Sequence, residues 1–309
     1  MMIPTVIGAT LVVFIIMRVV PGDIAYLILV GDTGDGDVDP ATLEKLREEL
    51  GLKEPLYMQY LTWLVGLPVG NFGDALLTRR SIFDEVKHRL PITGQLGIMS
   101  VIFGFATGLP LGTISALRQN TWVDQLCRFT SIIFLAFPSF WLGLIVILVG
   151  LRVFDWMPPI GYNLLWENPK DNLLQLLFPS LIIGSHLMAI VARMTRSTML
   201  EVMREDYIRT ARAKGLGETT VIVRHAMKNS MIPVITIVSL WFGSLLGGTV
   251  VMETVFTIPG VGLYLIESIE LRDYTVTQAL VFLLATGFVL INFAVDLLYG
   301  WLDPRISHS

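Results

Sequence analysis

The sequence predicts an all-α protein that crosses a membrane six times. Of its 309 residues, 53% are hydrophobic and 16% are charged, whereas soluble domains carry about 25% charged residues. Its mean hydropathy is +0.67. Crossing a hydrocarbon layer of about 30 Å takes about 20 apolar helical residues. Six apolar runs near this length occur, at Ile3–Val20, Gln95–Leu117, Phe129–Leu151, Leu173–Ala192, Met231–Val251 and Thr277–Tyr299.

The first run is interpreted as a retained span. A signal peptide would end in an Ala-x-Ala-like cleavage site, but here RVVPGD at Arg18–Asp23 leads directly into sequence with helix signals. One transmembrane domain is therefore predicted, with a first span (1–20), an outer loop (21–94), a five-helix core (95–302) and a tail (303–309). The single cysteine, Cys127, cannot form an internal disulfide.

Basic residues set the predicted orientation, because short positively charged loops tend to stay in the cytoplasm. Arg118 and Arg128 follow the second run, eight basic residues lie between Arg193 and Lys228, and Arg305 follows the sixth run. The short loops on the opposite side carry fewer. Both termini are therefore predicted to be cytoplasmic, and the long first loop is predicted to face outward.

The outer loop contains signals for short helices. Asp39 is a plausible N-cap and Gly51 stands where a helix would stop. Tyr57–Leu64 has aromatic residues that suit a membrane surface, and Ser81 with Asp84 has capping spacing for a third helix. Two interpretations remain open, a lid of surface helices and a docking surface for an external partner.

Ionisable groups are scarce inside the runs, although such groups normally mark an ion or proton pathway. Asp296 and His186 each fit a structural group better than a proton relay. The absence of evident coupling-ion ligands near the midplane disfavours an ion-coupled carrier. The chain also lacks a Gly-x-x-x-x-Gly-Lys-Ser/Thr phosphate loop and a recognisable catalytic constellation, so we predict no catalytic residue, metal site, bound cofactor or nucleic-acid partner.

Small residues form a stripe in the fifth run, where Ser239, Gly243 and Gly247 follow each other at four-residue steps. Such a stripe either lets another helix approach closely or leaves room along a translocation path. The second run contains several residues that favour a bend or flexing. These are Gly104, Gly108, Pro110 and Gly112.

A polar segment, REDYIRTARAKGLGETTVIVRHAMKNSMIP, separates the fourth and fifth runs. A helix is predicted over Arg196–Lys214, with a favourable ion pair between Glu205 and Arg209, and Gly215 and Gly217 are expected to end it.

A second short helix is predicted over Glu218–Lys228, with Ser230 as a possible cap and Pro233 in the first turn of the fifth span. We call residues 196–230 the knob. Its ordered acids, glycines and apolar positions, such as Ile208 and Val223, indicate a surface that docks a protein.

The knob resembles the cytoplasmic coupling loop of the peptide/nickel group of bacterial ABC importer permeases. Further motifs of that group occur in the same order along nearly the whole chain, and they most resemble the first of the two paired permeases in dipeptide and oligopeptide systems. These motifs are RVVPGD (18–23), LGLKEPLYMQYLTWL (50–64), FPSFWLG (137–143), ETVFTIPGVG (253–262), RDY (272–274) and DLLYGWLDPRI (296–306).

The resemblance implies a type I ABC importer permease fold and a non-catalytic subunit whose knob sits in a groove of a cytoplasmic ATPase. Arg209, Thr210 and Ala211 stand where many families have Glu-Ala-Ala, a departure that peptide-type permeases share. The candidate coupling residues are Glu205, Tyr207, Arg209, Ala211, Gly215, Arg224, His225 and Asn229.

The implied partners are a second homologous permease that completes the pore, two ABC ATPases that hold ATP and Mg, and an external substrate-binding protein. The implied location is the cytoplasmic membrane of a bacterium or archaeon. The segment around IPGVG is a candidate outer gate or docking element. Its candidate residues are Pro259, Gly260, Gly262, Arg272, Asp273 and Tyr274.

The expected substrate is a dipeptide or oligopeptide. Import of nickel, glutathione or another small solute by the same architecture stays open, because the binding protein normally selects the substrate in such systems. Four histidines in the whole chain give no ligand track across the membrane for a metal. A membrane scaffold is a third possibility, but it would not need an ordered docking knob.

Overall fold

The computed structural model describes residues 2–19, 24–30, 38–67, 71–159 and 161–302, and these residues are mainly α-helical. The helices are α1 (Met2–Val19), α2 (Ile24–Val30), α3 (Pro40–Glu49), α4 (Leu56–Gly66), α5 (Ile82–Leu117), α6 (Trp122–Ala136), α7 (Ser139–Phe154), α8 (Pro169–Val202), α9 (Asp206–Ala213), α10 (Glu218–Thr220), α11 (Lys228–Val255), α12 (Val261–Glu270) and α13 (Tyr274–Leu302). A π-helical segment, Val221–Met227, joins α10 to α11. This confirms the predicted all-α class.

Three helices of the described residues are long and apolar enough to cross a membrane alone, namely Ile82–Leu117, Pro169–Val202 and Tyr274–Ala294. Counting each of two bent helix pairs as one span raises the number to five. The remaining predicted run lies within α11, whose 28 residues give a length of about 42 Å. These elements are consistent with the predicted count of six.

The third predicted run differs from the expected single helix. It is divided between α6 and α7, whose axes differ in direction by 97°. Pro138 explains the break, because it has no backbone N–H and disfavours helical geometry at the residue before it. Phe137 accordingly adopts extended geometry, with φ −93° and ψ 131°.

Two of the predicted outer helices form as expected. The Asp39 carboxylate caps α3 by accepting from the backbone N–H groups of Ala41 and Thr42, and Gly51 follows the helix with φ +67°. The second candidate corresponds to α4. The third starts after Ser81 as predicted, but it is not a separate short helix, since α5 continues from Ile82 to Leu117.

The described residues group into two compact units. The first unit contains Met1–Ile92 and Gly260–Val289. Its core joins α12 and the beginning of α13 to the first turns of α5, through Ile82, Val261 and Leu280. In the same unit the Thr10 and Tyr60 hydroxyls are 3.0 Å apart, which connects α1 to α4.

The second unit contains Thr93–Pro259 and Leu290–Ser309. In this unit the small residues of α5 permit close packing and do not break the helix. A Cβ atom built on Gly104 would lie 2.7 Å from the Leu187 side chain, and one on Gly112 would lie 2.5 Å from the Ala192 carbonyl oxygen. Glycine at these positions therefore lets the α5 and α8 backbones approach closely. The helix is not broken there, and the bend predicted in the second span stays a prediction.

Candidate functional site

The knob begins later in the chain than the sequence suggests. Instead of starting a new helix at Arg196, α8 continues to Val202 and is followed by a turn before α9. The predicted ion pair between Glu205 and Arg209 is wrong, because the Arg209 guanidinium lies 3.3 Å from the Asp206 carboxylate. Both of these side chains are largely exposed, so this pair contributes little stability.

Gly215 ends α9 with the geometry of a Schellman motif. Its φ is +78°, and its backbone N–H donates to the Arg212 carbonyl over 2.9 Å. The Leu216 N–H donates to the Ala211 carbonyl over 3.4 Å. These two bonds satisfy carbonyl groups that the end of a helix otherwise leaves unpaired, and the positive φ favours glycine.

An ion pair that the sequence did not predict closes the turn between α9 and α10. The Arg212 guanidinium donates two hydrogen bonds to the Glu218 carboxylate, over 2.6 and 3.1 Å. This contact raises the pKa of Arg212 and lowers the pKa of Glu218. Both side chains are solvent-exposed, so the pair orients the two arms of the knob more than it stabilises the fold.

The second arm of the knob continues into the membrane helix without a break. From Glu218 the helix passes through the π-helical segment into α11, so Pro233 lies inside a helix. Ser230 does not cap a helix start, because its hydroxyl is buried and donates to the Met227 carbonyl over 2.9 Å. The predicted boundary between the second short helix and the fifth span is therefore wrong.

A small apolar core fixes the knob to the ends of two long helices. Ile208 and Ala211 of α9 and Val221 of the π-helical segment are buried together with Ala116 of α5 and Met199 of α8. The alternation of these buried positions with exposed ones is the pattern of an amphipathic helix. The knob is therefore seated on the helix ends and presents its other face outward.

The candidate coupling residues divide between this core and the free face. Ala211 is buried and His225 is half-buried. The Asn229 amide donates to the Tyr207 hydroxyl over 2.7 Å and so joins the two arms. The exposed candidates are Glu205, Tyr207, Arg209, Gly215, Arg224 and Asn229. Three apolar side chains share this exposure, Tyr207, Leu216 and Val223, and Val223 is 55% exposed.

The stripe predicted in the fifth run is only partly described. A Cβ atom on Gly247 would meet nothing within 4 Å, so this glycine is not needed for close packing within the described part of the chain. The surroundings of Gly243 and of the Ser239 and Asp296 side chains lie outside what the structure describes. The choice between packing and a translocation path therefore stays a prediction.

The candidate outer residues include a buried anchor. The Asp273 carboxylate is 4% exposed and accepts from the backbone N–H groups of Leu76, Leu77 and Val276, over 2.7, 3.4 and 3.1 Å. Burial raises the pKa of Asp273. These bonds fasten the turn before α5 to the start of α13.

The other candidate outer residues lie next to this anchor or at the start of α12. Arg272 has a φ of +56°, and the Arg18 guanidinium lies 5.2 Å from the centre of the Tyr274 ring. Gly260 and Gly262 are buried, whereas Pro259 is half-buried. None of these observations identifies a docking partner, and the docking role stays a prediction.

Two polar networks in the second unit escaped the sequence analysis. The buried Asp124 carboxylate accepts two hydrogen bonds of 2.8 Å from the Arg196 guanidinium and one of 2.6 Å from the Ser115 hydroxyl. Twenty residues before Ser115 in α5, Gln95 bonds to both Asn172 and Tyr162. Asp124 and Arg196, like Gln95 and its two partners, are far apart in sequence. The one local signal was the spacing of Thr121 and Asp124, which is typical of a helix cap.

A helical membrane domain with a polar two-armed knob on the ends of its long helices has the architecture of an ABC importer permease. Residues 108–308 match the family model for the binding-protein-dependent transport system inner membrane component. Residues 1–97 match the model for the N-terminal part of such membrane components. The chain therefore belongs to the family of inner membrane components of binding-protein-dependent transport systems.

Two curated relatives match along the whole chain. The dipeptide transport system permease protein DppB of Alkalihalophilus pseudofirmus is 40% identical, and the match covers 100% of this chain and 97% of that protein. The glutathione transport system permease protein GsiC of Escherichia coli K12 is 38% identical, with 100% and 96% covered. A chain of the inward-facing MetNI methionine ABC transporter shares the fold at 18% identity, with a TM-score of 0.58 over 71% of this chain and 96% of that chain.

Proposed function

We propose that this permease forms half of the pore of an ATP-driven importer of dipeptides and oligopeptides. The observation that carries the proposal is the knob, which is anchored by a buried apolar core and leaves an apolar and basic face free. The full-length similarity to a dipeptide permease supports the choice of substrate.

The proposed assembly contains a second homologous permease, two ABC ATPases and an extracytoplasmic substrate-binding protein. ATP and Mg bind the ATPases, and each knob fits a groove on one of them. The exposed residues Tyr207, Leu216 and Val223 supply the apolar contact, and Arg209 and Arg224 supply charge around it. Because buried core residues hold the knob on α5 and α8, a movement of the ATPase is passed directly to these two membrane helices.

The proposed location is the inner membrane of a bacterium or archaeon, with both termini and the knob in the cytoplasm. The distribution of basic residues supports this orientation. Under this arrangement the segment from Pro259 to Tyr274 faces outward and serves as a gate or as a docking site for the binding protein. The stripe of Ser239, Gly243 and Gly247 lines the path or packs against a neighbouring helix.

Glutathione is a second candidate substrate, because a glutathione permease is 38% identical over the whole chain. Glutathione and a short peptide share a free amino group, free carboxylates and amide bonds, so one pore can accommodate both. Selection between them then falls to the binding protein.

The test is uptake by proteoliposomes that contain the four membrane-associated subunits, with the binding protein added outside. Uptake of labelled dipeptide, tripeptide, glutathione and nickel ion is compared at equal concentration. Each is measured with and without ATP enclosed in the liposome lumen, on the same side as the ATPases. ATP-dependent accumulation of peptides above the other solutes supports the proposal. Preferential accumulation of glutathione supports the second candidate, and accumulation of nickel alone contradicts both.

A further inference from the structure

A cavity of about 470 Å³ lies in the second unit, between α5, α6 and α8. Polar and cationic side chains form much of its wall. They include Ser115, Arg128, Ser131, Arg193, Arg196 and Ser197. Nothing in the coupling role of the knob or in the proposed peptide path uses these groups, although three arginines around one cavity form a strong anion-binding surface.

The charge in this cavity is only partly compensated. Asp124 neutralises Arg196 through two hydrogen bonds of 2.8 Å. Arg128 and Arg193 are exposed, and neither makes an ion pair with another of the residues that the structure describes. With three arginines and one carboxylate, the cavity and its immediate support keep a net formal charge of +2.

The paired arginine also gives the cavity a fixed wall. Asp124 is 1% exposed and accepts further hydrogen bonds from the Ser115 hydroxyl and the Asn120 backbone N–H. These bonds hold the start of α6 against α5 and α8. An arriving anion therefore meets an Arg196 side chain that is already oriented. This side chain loses less conformational freedom on binding than a mobile arginine would.

An exposed apolar face of α6 continues from the cavity, since Ile132 lines the cavity and is 54% exposed. Trp122, Leu126 and Phe129 follow each other at helical spacing and are 74%, 54% and 61% exposed. A tryptophan at the start of an amphipathic helix is typical of a membrane interface. The ligand of the cavity therefore needs an anionic head for the arginines and an apolar part for this neighbouring surface.

The positions of Arg193 and Arg196 in α8 agree with the depth of lipid headgroups in a membrane. Arg196 and Arg193 lie six and nine residues before the end of α8 at Val202, or about 9 and 14 Å along the helix. Under the proposed orientation this end of α8 leads into the cytoplasm. Basic pockets between membrane helices on the cytoplasmic side bind anionic lipid headgroups.

We propose that this cavity binds the phosphate headgroup of an anionic phospholipid from the cytoplasmic leaflet, with the acyl chains lying along the apolar face of α6. The proposal rests on the orientation given under the proposed function. It adds a lipid site next to α5 and α8, the two helices that support the knob. The bound headgroup braces α6 against α8.

Native mass spectrometry of the intact permease complex tests the proposal. Detergent-purified complex is titrated with cardiolipin, phosphatidylglycerol or phosphatidylcholine, without ATP or peptide. We expect retention of the two anionic lipids and little retention of phosphatidylcholine. In the Arg128→Ala/Arg193→Ala variant, apparent affinity for the anionic lipids should fall roughly 10- to 30-fold, because each arginine near a membrane surface contributes about fivefold.

Two further variants control for general charge and for folding. Arg118→Ala removes an exposed arginine that does not line the cavity and should retain lipid as the parent does. Arg128→Lys/Arg193→Lys keeps both charges and should recover part of the affinity, since lysine lacks the fork of donors. Equal losses in the Arg118→Ala and Arg128→Ala/Arg193→Ala variants would overturn the proposal, as would unchanged lipid retention in the latter.

A soluble anion is the other possible source of a phosphate group. Inorganic phosphate at millimolar concentration should not displace cardiolipin, and equal binding of phosphate and lipid would contradict the lipid assignment. The measurement needs no transport, so failure of peptide uptake leaves its result unaffected. The orientation is tested separately by labelling at the knob.

Discussion

Replacing Gly215 by valine should disconnect the ATPases from the pore by weakening the knob. Gly215 has a φ of +78°, whereas a Cβ atom at this position would meet nothing within 4 Å. The penalty is therefore conformational and not steric. An L-residue in the left-handed region costs about 1–2 kcal/mol, and a β-branched residue lies at the upper end of that range.

This penalty acts on the turn that orients the two arms. A cost of 1–2 kcal/mol lowers the population of the native turn roughly 5- to 30-fold relative to alternative turns. Such alternatives break the hydrogen bonds from Gly215 to Arg212 and from Leu216 to Ala211. We expect Gly215→Val to insert into the membrane normally but to lose ATPase association, or substrate-stimulated ATP hydrolysis and uptake.

The same turn offers matched controls. Gly217 is also exposed and has open space around it, but its φ is −61°, so Gly217→Val should behave as the parent does. Gly215→Asn should be intermediate, since asparagine tolerates the left-handed region. Co-purification of the ATPases and uptake at equal protein level are the measurements. Equal behaviour of Gly215→Val and Gly217→Val would refute the conformational argument.

Two pairs of substitutions examine how the helices and the knob are held. Ile208→Ala should lower the stability of the knob by about 2–4 kcal/mol and speed proteolysis there, because Ile208 is fully buried. Val223→Ala, at a 55% exposed position, should leave proteolysis unchanged and weaken ATPase binding. Gly108→Ala should reduce the yield of monodisperse protein, because its Cβ would lie 2.7 Å from the Met188 carbonyl oxygen. Gly247→Ala, whose Cβ would meet nothing within 4 Å, should not reduce it. Equal yields of these two variants would contradict the packing role of the α5 glycines.

Local signals in the sequence predicted several elements well. The cap at Asp39, the stop at Gly51 and the turn at Gly215 each depend on residues within a few positions of one another. The chemistry of a cap or of a positive φ does not need distant contacts, so these features follow from the sequence alone. The same holds for the apolar runs, because their length is set by the membrane.

Helix boundaries next to the knob were harder to predict. The basic residues after Ala192 suggested that a span had ended and a new helix had begun, yet α8 continues to Val202. Charge changes the environment of a helix without interrupting its hydrogen bonds, and no proline or glycine lies between Arg193 and Val202. Ser230 and Pro233 likewise resemble a helix start, but buried packing keeps the helix continuous.

Long-range contacts could not be predicted. Asp124 and Arg196 are 72 residues apart, and each has a plausible local role, in a cap and in a basic loop. The glycines of α5 show a related problem, since their four-residue spacing fits both a flexible helix and a packing surface. Only the position of α8 against them shows that they form a packing surface.

The orientation on which the import direction depends can be tested with single cysteines. Thr42 in α3 and Thr219 in α10 are both exposed, so each cysteine would be accessible to a reagent on its own side. The native Cys127 is 8% exposed, and Cys127→Ala removes its background. A membrane-impermeant thiol reagent should label the Thr42→Cys variant in intact cells, because a long loop with more acidic than basic residues can cross the membrane largely regardless of its charge.

The Thr219→Cys variant should be labelled only after the membrane is opened. Translocation of the knob would carry Arg204, Arg209, Arg212, Lys214 and Arg224 across the bilayer, and basic residues near span ends strongly oppose this. Labelling of both variants in intact cells would indicate leaky cells and is checked with a cytoplasmic marker protein. The reverse pattern would place the knob outside, where no ATPase could bind it, and would contradict the proposed direction of transport.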